Sequence, residues 1–402
     1  VDDSAPPPLA IPHGFRAAAV KAGIKPSGSA DLAVLVADAP CAAAGTFTTN
    51  RIAAAPVQWD RALVPSSRIR AVVVNAGNAN AATGAQGLAN ARRTAEVAAT
   101  SLGCAAEDVL VASTGVIGHQ LPMDRLEDGL ARALSLLSPH SDAFHDASRA
   151  ILTTDTRPKV VSVAQSIGGR EVRFLGLAKG AAMIGPRMAT MLAFFLTDAA
   201  VSPDDLQAAL SEAVEDSFNC ISVEGHTSTN DTVLLLASGQ SGGEPLVGDD
   251  LAAFNRILRQ ACEDLAAMIP NDGEGATHRI RIVVTGATDR EEARTIARAV
   301  ADSPLVKTAI HGADPNWGRI VSAAGYAGIP FEESELSLVL NGTPLYTDGT
   351  PLVFDAKAVS DHLRAHRDVL IELSLRRGNG RIAFWTSDLT AEYVHLNADY
   401  TT

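Results

Sequence analysis

This sequence predicts an α/β fold built on mixed sheets, and three observations carry that reading. Short apolar runs of strand length alternate with stretches of helical spacing through the first half. A Gly168-Gly169 pair separates two β-type runs, as an antiparallel hairpin requires. The run Thr190 to Leu196 is too apolar for an exposed strand and too short for a self-sufficient helix, so it reads as a strand buried on both faces.

In chain order, Leu32 to Val36 and Ala71 to Val74 are the first strand-length runs, each closing on polar or Gly-containing residues. The segment Asn75 to Gly84 lacks the spacing of a phosphate loop and reads as a turn held by side-chain to backbone hydrogen bonds. Val109 to Ala112 is a further strand, running into a tight turn at Ser113-Thr114-Gly115. Leu126, Leu130, Leu134 and Leu137 mark the apolar face of a helix that begins near Leu121-Pro122. The hairpin spans Val160 to Gly176 and favours a mixed or antiparallel sheet over a purely parallel one. After the buried strand, Ser202-Pro203-Asp204-Asp205 places a cap, a first-turn proline and two acids ahead of Leu206, Leu210 and Val214. Leu251, Phe254, Leu258, Cys262 and Leu265 predict a helix ended by Pro270, and Thr288 with Glu291 a capping box for the next. Asn341-Gly342 and Gly378-Asn379-Gly380 predict two more hairpins, and Tyr393 to Leu396 alternates like a short strand leading into a polar tail.

The chain has 402 residues, enough for two cores or one large one, since single cores rarely grow past about 250 to 300 residues. At 47% hydrophobic and 20% charged it is an ordinary globular composition. A formal charge of -13 disfavours a nucleic-acid partner, because nothing neutralises a run of phosphates, and directs attention to small molecules. No apolar run reaches the roughly 18 residues of a membrane span. Cys41, Cys104, Cys220 and Cys262 lie far apart without a CxxC pair and read as buried small hydrophobes. Ten His residues include no HExxH and no metal-ligand spacing, so no metal is expected. Val1 to Ser4 and Pro6 to Pro8 show neither the basic nor the apolar region of a secretory leader, which fits a cytoplasmic enzyme; a removed organelle peptide stays open, since the chain begins with Val. No repeat and no low-complexity linker divides the sequence.

The chemistry concentrates in Lys179 to Leu192, where a Gly/Pro-containing loop turns abruptly into the buried run and Thr190 stands at the junction. If Thr190 opens a fixed strand, the peptide bond to Ala189 can be held strained between that strand and Gly185-Pro186. Attack of the Thr190 hydroxyl on the Ala189 carbonyl would give an ester that water cleaves, leaving Thr190 as a new N-terminus. Its α-amine, with a pKa of about 7.7 to 8.0, would then serve as base for its own hydroxyl. Read locally, a Thr at the edge of a strand is the ordinary reading.

The segment Lys179-Gly180-Ala181-Ala182-Met183-Ile184-Gly185-Pro186-Arg187-Met188-Ala189-Thr190-Met191-Leu192 closely resembles the Lys-Gly-x-x-Met-Ile-x-Pro-x-Met-Ala-Thr-Met-Leu signature of the bifunctional ornithine acetyltransferase / glutamate N-acetyltransferase family. Ordered matches extend along nearly the whole chain. They include Gly45-Thr46-Phe47-Thr48-Thr49-Asn50-Arg51, Asn75-Ala76-Gly77-Asn78-Ala79-Asn80, Thr153-Thr154-Asp155-Thr156, Thr227-Ser228-Thr229-Asn230-Asp231, Gly312 to Arg319 and Asn397-Ala398-Asp399-Tyr400.

The resemblance implies an N-terminal-nucleophile-like, self-processed fold with an α chain 1–189 and a β chain 190–402, cut between Ala189 and Thr190. It implies Thr190 as nucleophile, Thr114 and Gly115 as oxyanion hole, and Thr153, Lys179, Thr190, Glu274, Asn397 and Thr402 around the amino-acid substrate. Lys179 would face the substrate carboxylate and Glu274 its amine; whether the first hydroxyl belongs to Thr153 or Thr154 stays open. The implied reaction moves acetyl from N-acetylornithine to glutamate through acetyl-Thr190, without a cofactor, in an assembly of two α and two β chains. Acetyl-CoA as a second donor, the amino-acid N-acetyltransferase activity, is left open. The rival is a self-processing aminopeptidase or amidase on the same scaffold, in which water takes the acyl group. Ala181-Ala182 stands where the family often has Ser-Gly, Gly185 where Ala is usual and Arg187 where Asn is common.

Overall fold

The apolar runs are taken up by two sheets in the computed structural model, which describes residues 8–185 and 191–399. The first sheet contains β1 (Phe15–Val20), β2 (Leu32–Phe47), β3 (Ser66–Asn78), β4 (Val109–Val116), β5 (Lys159–Ile167), β6 (Arg170–Lys179), β7 (Leu192–Thr197) and β8 (Thr232–Ala237). Its order is β4-β3-β2-β8-β7-β6-β5, with β1 beside β2. The second contains β9 (Arg279–Ala287), β10 (Ser337–Leu340), β11 (Thr343–Thr347), β12 (Thr350–Pro351), β13 (Asp368–Ser374) and β14 (Gly380–Ser387), in the order β12-β11-β10-β13-β9-β14. Both sheets are mixed, as expected. The pairs β3/β4, β7/β8 and β9/β13 are parallel, and the remaining pairs antiparallel.

The helices of the first half are α1 (Ala55–Arg61), α2 (Gly84–Leu102), α3 (Met123–Ser135) and α4 (Ser141–Ala150). Those that follow are α5 (Pro203–Asp216), α6 (Gly248–Asn271), α7 (Arg290–Ala301), α8 (Pro304–His311), α9 (Trp317–Gly325), α10 (Ala356–Ala365) and α11 (Ala391–Asp399). Alternation along β7 explains why its sequence is apolar throughout. Ala193 and Phe195 face α5 and α6, meeting Leu206, Leu210, Phe218 and Leu265, while Phe194 and Leu196 turn to the opposite layer with Phe144 of α4. Leu32, Val34 and Val36 of β2 pack on α2 and α3 through Ala91, Ala95, Leu126 and Leu130. The second sheet buries Ile280, Ile282 and Val284 against Ile296 and Val300 of α7 and Leu363 of α10.

Several local expectations hold. The hairpin at Gly168-Gly169 joins β5 to β6, Ser202 Oγ accepts from Asp205 N at the head of α5, and Asn341-Gly342 turns β10 into β11 with positive φ at both residues. Asn78 Oδ1 accepts from Asn80 N, and Asn75 and Asn80 bond to backbone carbonyls, so the expected side-chain to backbone bonds are present, but Asn75 to Asn78 still belong to β3 and only the residues between Asn78 and Gly84 turn.

Others are corrected. The cap of α7 is Asp289, which accepts from Glu292 N, and not Thr288: a carboxylate one residue closer to the helix takes the orphan amide, and Thr288 Oγ1 instead meets Arg377. Pro270 does not end α6 but lies in its last turn. The loop at Gly378-Gly380 joins no hairpin, because β13 and β14 lie on opposite sides of β9. Thr114 and Gly115 belong to β4 itself, which runs on to Val116 beside a bulge in β3. Tyr393 to Leu396 is helical within α11, with Thr390 Oγ1 accepting from Tyr393 N in its first turn. Cys41, Cys220 and Cys262 are buried, whereas Cys104 is partly exposed.

The expected break between Ala189 and Thr190 lies outside the described residues. It falls in the connection between β6 and β7, neighbours in one sheet, so the two expected chains would share the first sheet and not divide along the sheets. Phe195, fully buried at the centre of that sheet, is the point to test its cohesion. Phe195→Ala is expected to cost about 3 to 5 kcal/mol, read as a fall in the thermal midpoint with retained secondary structure below it.

Candidate functional site

Strand register brings the predicted residues to one end of the first sheet. Lys179, the last residue of β6, pairs with Leu192, the first of β7, and Leu192 pairs with Thr232 of β8. The polar residues just outside these strand ends are therefore neighbours: Lys179 and Gly180 from one, Met191 from the next, Asp231 from the third. Met191 N donates to Asp231 Oδ1 at 3.0 Å. Thr190 immediately precedes Met191 in the chain and itself lies outside the described residues, as do Ala189, Arg187 and Thr402.

The end of β4 is tied to the same place. Asn230 Nδ2 donates to Ser113 O at 2.8 Å and to Ala79 O at 2.6 Å, lashing the start of β8 to the segment that carries Thr114 and Gly115. Thr114 is buried, and Gly115 has φ +130°. A Cβ at Gly115 would lie 2.3 Å from the Gly77 carbonyl carbon, so the strands can approach this closely only with glycine here.

Lys179 is 2% exposed, and such a charge survives burial only with partners. Its Nζ donates to Thr153 Oγ1 at 2.7 Å and lies 3.8 Å from Asp155 Oδ2. The hydroxyl that Lys179 meets is thus that of Thr153. Asp155 Oδ1 also accepts from Gly180 N at 2.5 Å and from Lys159 Nζ at 2.8 Å, and Lys159 Nζ reaches Asp272 Oδ2 at 2.6 Å. Burial pushes the Lys179 ammonium below its ordinary pKa, opposed by the charges of Asp155, Asp231 and Glu274 and reinforced by Lys159. Burial alone would raise the Asp155 carboxyl, but Lys179 and Lys159 outweigh it and hold the group well below the usual carboxylate range.

Asp272 opens the loop that carries Glu274, so the buried ion pairs join the two halves of the site. Glu274 N donates to Ala181 O at 3.0 Å, and Glu274 Oε2 accepts from Asn397 Nδ2 of α11 at 2.8 Å. The far side of the loop is fixed by Asp388, whose Oδ1 accepts from the backbone N of both Thr277 and His278 at 2.9 Å. Lys179, Thr153, Glu274 and Asn397 thus form one connected group.

The segment 180–185 is pinned along its length. Ile184 O accepts from Val223 N, Glu224 N and Gly225 N at 2.8, 3.2 and 3.0 Å. Met183 has φ +59°, a strained conformation for an unbranched bulky residue. A Cβ at Gly185 would lie 2.5 Å from the Gly225 carbonyl carbon, which accounts for glycine where the resemblance has alanine.

Asp155, Lys159, Asp231 and Asp272 carry no role in the sequence reading. Asp155 and Asp231 stand inside quoted motifs just ahead of apolar strands, and that adjacency was the available signal. Asp231 is fully buried; burial drives its carboxyl well above the ordinary range, offset in part by Met191 N–H and Lys179. No hydrogen bond of normal geometry reaches its Oδ2 from the described residues. Among the described residues no His, Cys, Asp or Glu cluster is arranged to hold a metal ion, and no helix is long and apolar enough to cross a membrane.

The profile of the ArgJ family matches residues 16–402. The chain is similar to the arginine biosynthesis bifunctional protein ArgJ of Rhodopirellula baltica, 46% identical over 395 residues that cover 98% of this chain and 96% of the relative. The ArgJ of Thermus thermophilus is 49% identical over 393 residues, covering 98% and 99%. A crystal structure of ArgJ from Bacillus halodurans is 41% identical, covers 50% of this chain and 96% of its own, and superposes with a TM-score of 0.49.

The ion pairs make a test of their own. Lys159→Met would strand two buried carboxylates, a change that costs about 3 to 5 kcal/mol when one member of a buried pair is removed. In the unchanged protein the depressed Asp155 contributes stability that is present above its unfolded pKa of about 4 and is lost as pH falls below it. In Lys159→Met that carboxyl no longer gains from ionising, so the loss of thermal midpoint should be large at pH 7.5, persist to about pH 4 and shrink only below it, being smaller at about pH 2.5. An equal loss at the highest and lowest of these pH values would show that Lys159 acts only by filling space.

Proposed function

The chain belongs to the ArgJ family, and from that membership together with the geometry of the site we propose that it transfers acetyl from N-acetylornithine to glutamate, forming ornithine and N-acetylglutamate in arginine biosynthesis. The observation that carries the reading is the register of β6, β7 and β8, which gathers Lys179, Met191 and Asp231 at one end of the sheet, next in sequence to Thr190. Near 46 to 49% identity over almost the full length of bifunctional ArgJ proteins supports transfer over the hydrolytic rival.

The first step is self-cleavage. Thr190 Oγ attacks the Ala189 carbonyl carbon, the peptide nitrogen leaves as the α-amine of Thr190, and water cleaves the resulting ester to give chains 1–189 and 190–402. Pinning on both sides supports this: Ile184 O is held by three amides upstream and Met191 N by Asp231 downstream, so both ends of the stretch that carries the bond are anchored.

Acetyl transfer follows with the same hydroxyl. The Thr190 α-amine takes the hydroxyl proton as Oγ attacks the acetyl carbonyl of N-acetylornithine. Thr114 and the backbone N–H of Gly115 stabilise the oxyanion, a contribution of about 10² to 10³ in rate for one donor. The proton then passes to the departing ornithine amine. Glutamate enters, its α-amine attacks acetyl-Thr190, and the hydroxyl is restored.

Lys179 and Thr153 meet the amino-acid carboxylate, and Glu274 and Asn397 its amine, with Thr402 closing the pocket from the tail. Acetyl-CoA enters as a second acetyl donor in the bifunctional form of the reaction, and no resident cofactor is needed. The α and β chains remain paired as a heterotetramer of two each, in the cytoplasm.

Two experiments test the reading. The purified protein is expected to contain fragments 1–189 and 190–402; Thr190→Ala should remain one chain and lose transfer, while Thr190→Ser keeps part of both. An intact chain that turns over at full rate would move the nucleophile elsewhere. Lys179→Met should raise the half-saturating glutamate concentration by about tenfold or more, since a charge-assisted hydrogen bond is worth roughly 1.5 to 3 kcal/mol. Unchanged glutamate dependence would remove Lys179 from the carboxylate.

A further inference from the structure

One buried carboxyl near the site lacks a hydrogen bond of normal geometry to any described residue. Glu224 belongs to the loop 222–225 that wraps the Ile184 carbonyl. Neither of its carboxyl oxygens has a hydrogen bond of normal geometry among the described residues, and both are shielded from solvent. Buried carboxyls are almost always satisfied, and an orphan beside a reactive segment points to a ligand group that completes it.

Its surroundings identify what kind. Glu274 and Glu224 both act on the phenol of Tyr393 in α11, which burial and these two charges push up to about 12. Glu274 also acts on Lys179, so the set Lys179, Glu274, Glu224 and Tyr393 is electrostatically continuous. Among the described residues, Lys307 of α8 and Asp302, which lies against Gly225, also stand near Glu224, and His226 contributes its backbone amide. Lys307 Nζ is committed elsewhere, donating to Thr386 Oγ1 at 3.0 Å and to the Ser387 carbonyl. Burial raises the Glu224 carboxyl to about 8, offset only in part by the amides of Ile184 and His226 and by Lys307.

The proposed reaction poses a charge problem that a fixed group cannot solve. The donor's side chain ends in an ammonium and the acceptor's in a carboxylate, yet both follow one another through one site. A permanent anion would reject the second and a permanent cation the first. We propose that Glu224 determines side-chain specificity for both substrates, accepting from the side-chain ammonium of the ornithine donor as a carboxylate and donating to the side-chain carboxylate of glutamate as a carboxylic acid. The inference rests on the acetyl-transfer reading above. The proton balances: one is taken from solvent at Glu224 as glutamate replaces ornithine and returned when the next donor binds.

Calorimetry on the unchanged, processed protein tests this directly. Titrating ornithine and glutamate separately near pH 8, in buffers of different ionisation enthalpy, should show proton uptake with glutamate and proton release with ornithine. In Glu224→Gln both should vanish, self-cleavage should persist, and the KM for N-acetylornithine should rise by about tenfold or more, the worth of one charge-assisted hydrogen bond. Glu224→Asp should retain the opposite signs with a smaller rise in KM. If the unchanged protein binds both ligands with no opposed proton exchange, or if Glu224→Gln preserves that exchange, the assignment is wrong while acetyl transfer stands. Absence of acetyl transfer from N-acetylornithine to glutamate in the unchanged protein would overturn both.

Discussion

A charge cannot be buried alone, and the candidate site is organised around that constraint at Lys179. Its ammonium is inside the protein where β6 ends, one strand in from the β5 edge of an eight-stranded sheet. Desolvation of that ammonium is offset by Asp155, and Asp155 with Asp272 encloses a second buried cation, Lys159. Each partner recruits a different piece of chain: the loop before β5, the start of β5, and the loop after α6 that carries Glu274. The residues proposed to bind an amino acid and those that hold the site together are therefore one network. Since net interaction energies of buried ion pairs are small beside the cost of breaking them, its role is to fix geometry more than to add stability.

The fold was legible where one residue's chemistry decided the outcome. Gly168-Gly169, Ser202-Pro203 and Asn341-Gly342 each specify a turn or cap through φ or a side-chain acceptor, and each stands as read. The failures come where two local solutions compete or where the partner is distant. Thr288 and Asp289 are both capping residues, and only the placement of Arg377 on Thr288 and Glu292 separates them. Gly378-Gly380 has the composition of a hairpin, but β9, about a hundred residues upstream, intervenes between its flanking strands. Tyr393 to Leu396 alternates like a strand, yet Thr390 Oγ1 accepts from Tyr393 N just ahead of it and the helix satisfies its backbone within the segment instead.

The site divides in the same way. Motifs on contiguous residues brought out Lys179, Thr153 and Glu274, and the structure joins these with Asn397 through hydrogen bonds. The contacts that connect them were not visible, because Lys159 to Asp272 spans over a hundred residues and no periodicity encodes such a pair. Asp231 was hidden differently: it sits within a quoted string of polar residues, and only strand register shows that it meets the amide of Met191.

Placing a break inside a sheet looks costly until the restraints on each side are counted. β7 is hydrogen-bonded along its length to β6 on one edge and β8 on the other, with Phe194 and Phe195 buried on opposite faces. The proposed cut falls before β7 and would remove none of these ladder bonds. It would place a new amine on the residue next to Met191, whose own N is held by Asp231. With both edges of β7 still paired, the strand would keep its register. A catalyst that needs both a hydroxyl and an amine on one residue would gain them from that cut without building a second site.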